Sequence, residues 1–363
     1  MTKLLHTADV HLQQVGDERW QALLAVLTQA EQLKVEAVTI GGDLFDQNFN
    51  AHDIRDQLRT VFAGRPFQTI ILPGNHDAHS FQQGFYFGQG VTVIDQPGQL
   101  IQLNKNTTIT GLPFAELTTN QLIKQLEKIN ATLNPEKTNI FLFHGELTDL
   151  FFNSQDFGDE GQKRYLPLKL NLLKDTVFDY ILAGHFHTNF IVKNLPNKRL
   201  KQGGFFVYPG SPVSITTKEA SQRSAALVEL GQSPQPVELK THHYQSIKSE
   251  LKPDDTAKFL TKLEKQLKQL KPYATGLISI DGFFDQAKLG STEEEIHQKI
   301  TELAKKYHSQ LTDANFAVKD ISTILDTGLY LAFTDQLAQQ DADPVIAQRL
   351  NNLFIKAMIK VNA

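Results

Sequence analysis

Five short apolar runs in this chain each end in a cluster of aspartate, asparagine or histidine, most of them beside glycine. The clusters are Asp9-Val10-His11, Gly42-Asp43, Gly74-Asn75-His76-Asp77, His144-Gly145 and Gly184-His185-Phe186-His187. The runs that lead into them, "KLLHTA", "EAVTIGGD", "FQTIILPGNHD", "TNIFLFHGE" and "FDYILAGHFH", read as strands. Alternate residues of an extended segment point the same way, so His185 and His187 leave one strand together. A single histidine at such a place is usually structural. Five clusters of metal-ligand type at five strand ends are hard to explain as core packing. They predict a layered α/β domain with a crevice beyond the strands' carboxyl ends.

The rest of the first half fits that frame. Stretch 17–34 has apolar positions Trp20, Leu23, Leu24 and Leu27 and a plausible cap in Asp17, which predicts a helix; 51–64 predicts another, closed by Gly64. "VTVID", "QLIQL", "TTITGLPF", "FFVYPGS" and "SAALVEL" look like strands without a helix between each pair. The expected fold class is therefore α/β (α+β), a sandwich of two mixed sheets flanked by helices. "GQSPQPVEL" (231–239) carries two prolines and reads as a linker. Beyond it a β-α-β-α-β order predicts a small second domain. Expected boundaries are 1–235 for the first domain, 236–340 for the second and 341–363 for a terminal helix. In that helix Ile346, Leu350, Leu353 and Ala357 fall on one face, which Phe354 and Met358 broaden.

Composition narrows the chemistry. Cysteine is absent from the 363 residues, so no disulfide frame or thiolate site is available, and a metal must use His, Asp, Glu or Asn. The net charge of −4 argues against a polybasic nucleic-acid binder but leaves room for a local basic strip. Two such strips, 163–174 and 193–201, flank His144 and the His185/His187 pair. They suit phosphate tracking about as well as a solvated face. The amino terminus is too short and polar for a signal peptide, and no apolar run approaches the ~20 residues of a membrane span. The expectation is a cytoplasmic protein without membrane association.

The ordered series "DVH…GGDLFD…GNHD…FHGE…GHFH" resembles the calcineurin-like metallophosphoesterase superfamily over residues 1–230. "HTADVHL", "GGDLFD" and "YPGSP" (208–212) look like its DNA-repair nucleases of the SbcD and YhaO type. Such enzymes place two divalent ions ~3.5–4 Å apart to clamp a phosphate and generate the attacking nucleophile. By resemblance one ion takes Asp9, His11, Asp43 and His187, and the other takes Asp43, Asn75, His144 and His185. Asp43 is then the bridge. The mixed imidazole, carboxylate and amide shell suits Mn²⁺, Fe²⁺ or Zn²⁺ over Ca²⁺, and the family favours Mn²⁺. His76 would stabilise the transition state or protonate the leaving oxygen, with Asp77 orienting its ring. Gly41, Gly42, Gly74 and Gly184 would let the backbone turn beside the ions.

The resemblance thus implies a metal-dependent exonuclease acting on DNA, with a capping second domain and an SMC-like ATPase partner of the SbcC or YhaN type; a homodimer is also admitted. Two rivals stand beside it. One is a phosphodiesterase or phosphatase for cyclic nucleotides or other small substrates, which the same ligands serve. The other is a non-catalytic, metal-stabilised recruitment protein. His6, inside the first strand, reads as a buried structural histidine. Asp46 reads either as a rim residue or as the cap of the helix at Ala51. His52 and His79 are weaker groove candidates, and His242, His243, His297 and His308 read as surface residues.

Overall fold

A computed structural model of the chain describes residues 2–47, 49, 51–81, 86–149, 165–195, 203–253, 256–325, 327–340 and 343–362. The chain divides into two compact units, Met1–Tyr244 and Gln245–Ala363.

The first unit holds two six-stranded sheets. β1 (Lys3–Thr7), β2 (Ala37–Gly41), β3 (Gln68–Leu72) and β4 (Val91–Val93) are successive parallel neighbours in the first. Two further strands, β11 (Ser224–Glu229) and β12 (Gln235–Glu238), extend it antiparallel on the β1 side, in the order β12-β11-β1-β2-β3-β4. The second sheet runs β5 (Ile101–Asn104), β6 (Thr107–Leu112), β7 (Thr138–His144), β8 (Tyr180–Gly184), β10 (Gly204–Tyr208) and β9 (Ile191–Leu195). Its central four, β6, β7, β8 and β10, are parallel, and its two edges are antiparallel.

Both faces of each sheet are covered, which is why the strands read as continuous apolar runs. Leu4, Ile70 and Val228 of the first sheet meet Ile140, Leu142, Leu182 and Val207 of the second in one core between the sheets. Alternate residues Leu5, Val38, Ile40 and Ile71 face α1 (Glu18–Leu33) and α2 (Arg55–Phe62) instead. On the far side, Phe141, Phe143, Ile181 and Phe206 pack with α3 (Thr119–Thr132). Helix α1 starts where Asp17 accepts a hydrogen bond from the Trp20 amide at 2.7 Å, and it buries Trp20, Leu23, Val26 and Leu27. Each such side chain stabilises the fold by ~1.5–3 kcal/mol through burial alone.

Two sequence expectations need correction here. The stretch expected as a linker contains β12, whose Pro236 pairs opposite Ala226. As β12 is the sheet's edge strand, the missing proline N–H is tolerated. His243 is buried at the start of β13 (His243–Leu251), while His242 puts its Nδ1 3.0 Å from Glu18 Oε2. Neighbouring residues on an extended chain face opposite ways, so one of the two had to turn inward.

The second unit is a three-stranded sheet, β13-β14-β15, built from β13, β14 (Ala274–Phe284) and β15 (Gln310–Asp320). Helices α4 (Thr256–Lys268) and α6 (Glu293–Lys306) bury Leu263, Leu267, Ile296 and Ile300 against Ile278 and Ile280. Thr292 and Glu295 form a capping box at the start of α6. After the short helices α5 (Gln286–Leu289) and α7 (Ser322–Leu325) come α8 (Gly328–Gln339) and α9 (Pro344–Asn362). The Asp343 carboxylate accepts from the amides of Val345 and Ile346 and so caps α9.

Candidate metal centre

All five motifs lie at the carboxyl ends of parallel strands: β1, β2 and β3 in one sheet, β7 and β8 in the other. Main-chain bonds carry the β1/β2 pairing past the strands, from the Asp9 amide to Gly42 O (3.0 Å) and from the His11 amide to Asp43 O (2.9 Å). Side chains then tie one loop to the next. Asp9 accepts from the His185 amide at 2.9 Å, and Asp43 Oδ1 accepts from the His76 amide at 2.9 Å.

The turns themselves are made by the ligand residues. Asp9, His11, Asp43 and His185 have φ of 57°, 52°, 52° and 96°, where non-glycine residues are uncommon. Such backbone persists only where surrounding bonds determine it. Of the four expected glycines, Gly42 alone has positive φ (105°). Gly74 serves closeness instead of turning, because a Cβ there would overlap the Asp43 carboxylate.

The side chains converge in two halves. In one, His11 Nε2 lies 3.3 Å from His187 Nε2, and His187 Nε2 lies 3.7 Å from Asp9 Oδ1. In the other, His144 Nε2 lies 2.8 Å from Asn75 Oδ1 and 3.2 Å from Asp43 Oδ2. Asp43 Oδ2 also stands 3.8 Å from His11 Nε2, between the halves. Ligand atoms within 4.8 Å of one another group as Asp9/His11/His187, Asp9/Asp43/His144 and His11/Asp43/His76. His185 stands outside these groups, with its ring 5.5 Å from that of His144 and edge-on to it. Thus six of the seven expected ligands form a tight set, and the seventh borders it.

This set fits a cation. Asp43 Oδ2 is buried without a hydrogen bond of sound geometry, a costly state for a carboxylate oxygen. His144 Nδ1 lies 2.8 Å from the carbonyl of Gly41, which can only accept, so Nδ1 carries the proton. Its Nε2 lone pair then faces the oxygens of Asn75 and Asp43, and acceptors meeting acceptors call for positive charge between them. Burial would lower the His144 pKa, but Asp43 and then Asp9 raise it to about 10. Burial likewise opposes ionisation of Asp43, yet His144 and His11 hold it below the usual carboxylate range. Asp9 is raised, chiefly by burial. In both His144 and Asp43 the local field favours a cation, which a metal ion can supply in place of a proton.

Two sequence-derived roles shift. Asp77 does not stand as the carboxylate that flanks the His76 ring; its oxygens accept from the amides of Gly74 (2.7 Å) and Phe45 (3.1 Å), pinning two loops together. Burial and then Asp43 push its pKa up to about 7. Asp46 takes the place beside the ring, with Oδ1 3.5 Å from both His76 Nδ1 and His11 Nδ1. It accepts from Arg19 (2.6 Å) and Gln13 (2.5 Å), so it orients two histidines and is no helix cap. Its pKa is lowered, because bonds from His11, His76 and Arg19 outweigh burial. His6 matches its expected structural role, bridging Thr39 Oγ1 (3.0 Å) and Ala183 O (3.1 Å).

Glu146, Glu219 and Arg223 were given no part by the sequence, yet all three are buried around the centre. Glu146 accepts from the Tyr165 amide at 2.9 Å and lies 4.0 Å from His185 Nε2. Its place directly after His144-Gly145 was the available signal. Beside His76, a cleft of about 530 Å³ is lined by Asn75, His79, Phe114, Glu116 and Tyr165. His79 therefore reaches the groove, while His52 sits exposed on a short turn at 51–54. Of the basic strips, 163–164 and 196–201 lie outside the described residues.

A sequence profile described as calcineurin-like phosphoesterase matches residues 2–189. A curated relative, the D component of the SbcCD nuclease of Staphylococcus epidermidis, is 22% identical over 259 residues, or 61% of this chain and 63% of that protein. The chain therefore spans less than two thirds of that relative's length. Among solved structures, one from Thermus thermophilus aligns with a TM-score of 0.42 and 14% identity, covering 62% of this chain and 93% of its own. A dimetal phosphatase from Danio rerio gives 0.41 and 12%, with 66% and 98% covered.

Proposed function

This chain belongs to the calcineurin-like phosphoesterase family, and from that premise we propose that it is a two-metal phosphodiesterase that hydrolyses DNA, with Mn²⁺ as its working ion. One observation carries the two-metal part: the unsatisfied Oδ2 of Asp43, set between His11 and His144, each with its own partners. In this reading Asp9, His11, Asp43 and His187 hold one ion. Asp43, Asn75, His144 and His185 hold the other. When bound there, two such ions would neutralise the charge of a phosphodiester and supply a nucleophile at neutral pH.

The chain's own groups do the remaining work. Asp43, Asp9 and the looped backbone bonds fix the ligands before substrate arrives, so little reorganisation accompanies the reaction. His76 stands partly exposed at the mouth, and its ring is 4.8 Å from that of His11. Asp46, an acceptor only, favours the proton on His76 Nδ1 and leaves Nε2 to exchange one with the leaving oxygen. The adjacent cleft is large enough for a nucleotide unit.

DNA as substrate is supported by the nuclease relative and by the second unit, which a small-molecule phosphatase does not need. The same relative supports an ATPase partner of the SbcC type. Parallel assays with Mn²⁺ test the reading: labelled duplex DNA, single-stranded DNA, cyclic nucleotides and a chromogenic phosphodiester. DNA cleavage well above the others is the expected result. Hydrolysis confined to small substrates replaces it with the phosphatase reading.

A further inference from the structure

His187 has two ring nitrogens, and they face opposite surroundings. Nε2 looks into the centre, 3.3 Å from His11 Nε2 and 3.7 Å from Asp9 Oδ1. Nδ1 looks outward, 3.6 Å from Oε1 of Glu219. That is slightly beyond hydrogen-bond length and within ion-pair range. Glu219 is 1% exposed, so its charge is neither solvated nor screened there.

Glu219 is itself held from several sides. Its Oε2 accepts from Ser211 Oγ and from the Ile215 amide, both at 2.9 Å, and its Oε1 accepts from the Thr216 amide at 3.2 Å. Arg223, one helical turn's worth of sequence later and 2% exposed, secures the opposite side of the same loop. Its guanidinium donates to Ser211 O (2.9 Å), Thr188 O (3.1 Å) and the carbonyl of His187. Both the ring and the main chain of His187 are thus gripped from the 211–223 segment, which lies beyond the residues matched by the family profile.

We propose that Glu219 is a positioning residue for His187, fixing the imidazole with its proton on Nδ1 and its Nε2 lone pair toward a divalent ion. A carboxylate can only accept, so the nitrogen facing it is the one that donates. Carboxylates behind ligating histidines orient the ring and raise its basicity, and their loss typically weakens metal binding ~10–100-fold. The inference rests on the two-metal reading above and is independent of which phosphodiester is cleaved.

Equilibrium Mn²⁺ titration of the full chain by calorimetry tests it, using wild type, Glu219→Gln, His187→Ala and the double variant. Wild type should bind two ions, and Glu219→Gln should weaken one of them ~10–100-fold while sparing the other. On the His187→Ala background the same change should cost less than about twofold, since its route of action is gone. Full losses that simply add would show that Glu219 acts on the fold at large and overturn the proposal. Wild-type binding by Glu219→Gln would overturn it too. If wild type itself bound no ion, the two-metal reading would fall first. Should Glu219→Gln not fold, ¹⁵N–¹H correlation spectra of metal-free wild type decide the matter, with the His187→Ala spectrum giving the assignment. They should show His187 protonated at Nδ1; a proton on Nε2 alone would overturn the proposal.

Discussion

The two units treat charge in opposite ways. In the first, Asp9, Asp43, Asp77, Glu146, Glu219, Arg223 and six histidines, among them His144 and His187, are all buried. In the second, Asp285 and Ser309 are the only buried polar side chains among the described residues. Asp285 there does local work, accepting from the Lys288 amide to cap α5. Buried ionisable groups are expensive unless paired or bound to metal, so the first unit carries a free-energy cost that the second avoids. Left-handed backbone at non-glycine residues is concentrated in the first unit, where Lys34 and Leu166 adopt it besides the residues of the centre. Asp9, His11, Asp43 and His185 adopt it inside the centre, whereas Tyr273 and His308 of the second unit do so in turns away from any such cluster. A unit built around a buried cluster of metal-ligand type and a conventional α/β module share one chain.

The sharpest way to break this contrast is to remove its central charge. Asp43→Ala should abolish binding of both ions and reduce phosphodiester hydrolysis to background. Metal analysis after Mn²⁺ loading and dialysis, beside the DNA assay, reads both effects. Retention of two ions would show that Asp43 is no bridge. His76→Ala should separate binding from chemistry: turnover falls ~10²–10⁴-fold while the ion count stays the same. Equal loss of ions and turnover would make His76 a ligand, which its grouping with His11 and Asp43 allows geometrically.

Which parts of this were legible in the sequence follows from their physical range. Strand-end motifs are local in sequence, so Asp9, His11, Asp43, Asn75, His144 and His187 stand out from the order of residues alone. Asp17 marks a helix start because capping acts within three residues. Roles that depend on contacts distant in sequence were not legible. Asp46 meets Arg19 across 27 residues and His76 across 30, so local sequence left the choice between rim and cap open, and those contacts favour the rim. Glu219 meets His187 across 32, with no motif linking them. The β12 strand was obscured by a local signal, two prolines, whose cost vanishes at a sheet edge.

Acid should also distinguish the units. His6 is fully buried, and burial lowers its pKa from 6.5 to about 4 despite bonds to Ala183 and Thr39. Because the folded form holds the proton less tightly than the unfolded one, the unfolded state gains protons first as pH falls. Stability is therefore complete above about 6.5 and declines toward pH 4, by ~3 kcal/mol in all for this group. Trp20 is the chain's single tryptophan and sits in α1, so its fluorescence reports the first unit alone. Urea unfolding of metal-free wild type and His6→Gln across that range should show a shallower pH slope in the variant. Identical slopes would mean that His6 binds its proton equally well in the folded and unfolded protein, so that burial does not lower its pKa.

The smallest expected effect comes from the second unit's own exception to its quiet interior, helix α9. Its two apolar faces meet different fates. Ile355 is 1% exposed and packs with Phe283, Ile321 and Ile324, while Phe354 stacks on Phe333 at 4.1 Å. The opposite face leaves Ile346, Leu350 and Leu353 at 55%, 41% and 58% exposure. The helix is therefore part of the second unit's core, and removing it whole would disturb that core together with the exposed stripe. Point changes separate the faces. Ile355→Ala should destabilise the second unit by ~2–5 kcal/mol through its lost packing. Leu350→Ser with Leu353→Ser should alter stability by no more than about 0.5 kcal/mol, as surface changes usually do. Mn²⁺-dependent cleavage of a short DNA by that double variant should match wild type, because neither residue belongs to the first unit. A partner that lays a groove or helix on this stripe would lose affinity nonetheless, since exposed apolar anchors carry such docking. Pull-down of an SMC-like ATPase by wild type and the Ser variant measures that difference. Equal recovery of the ATPase by both would leave the stripe an ordinary exposed surface and place any partner contact elsewhere on the chain.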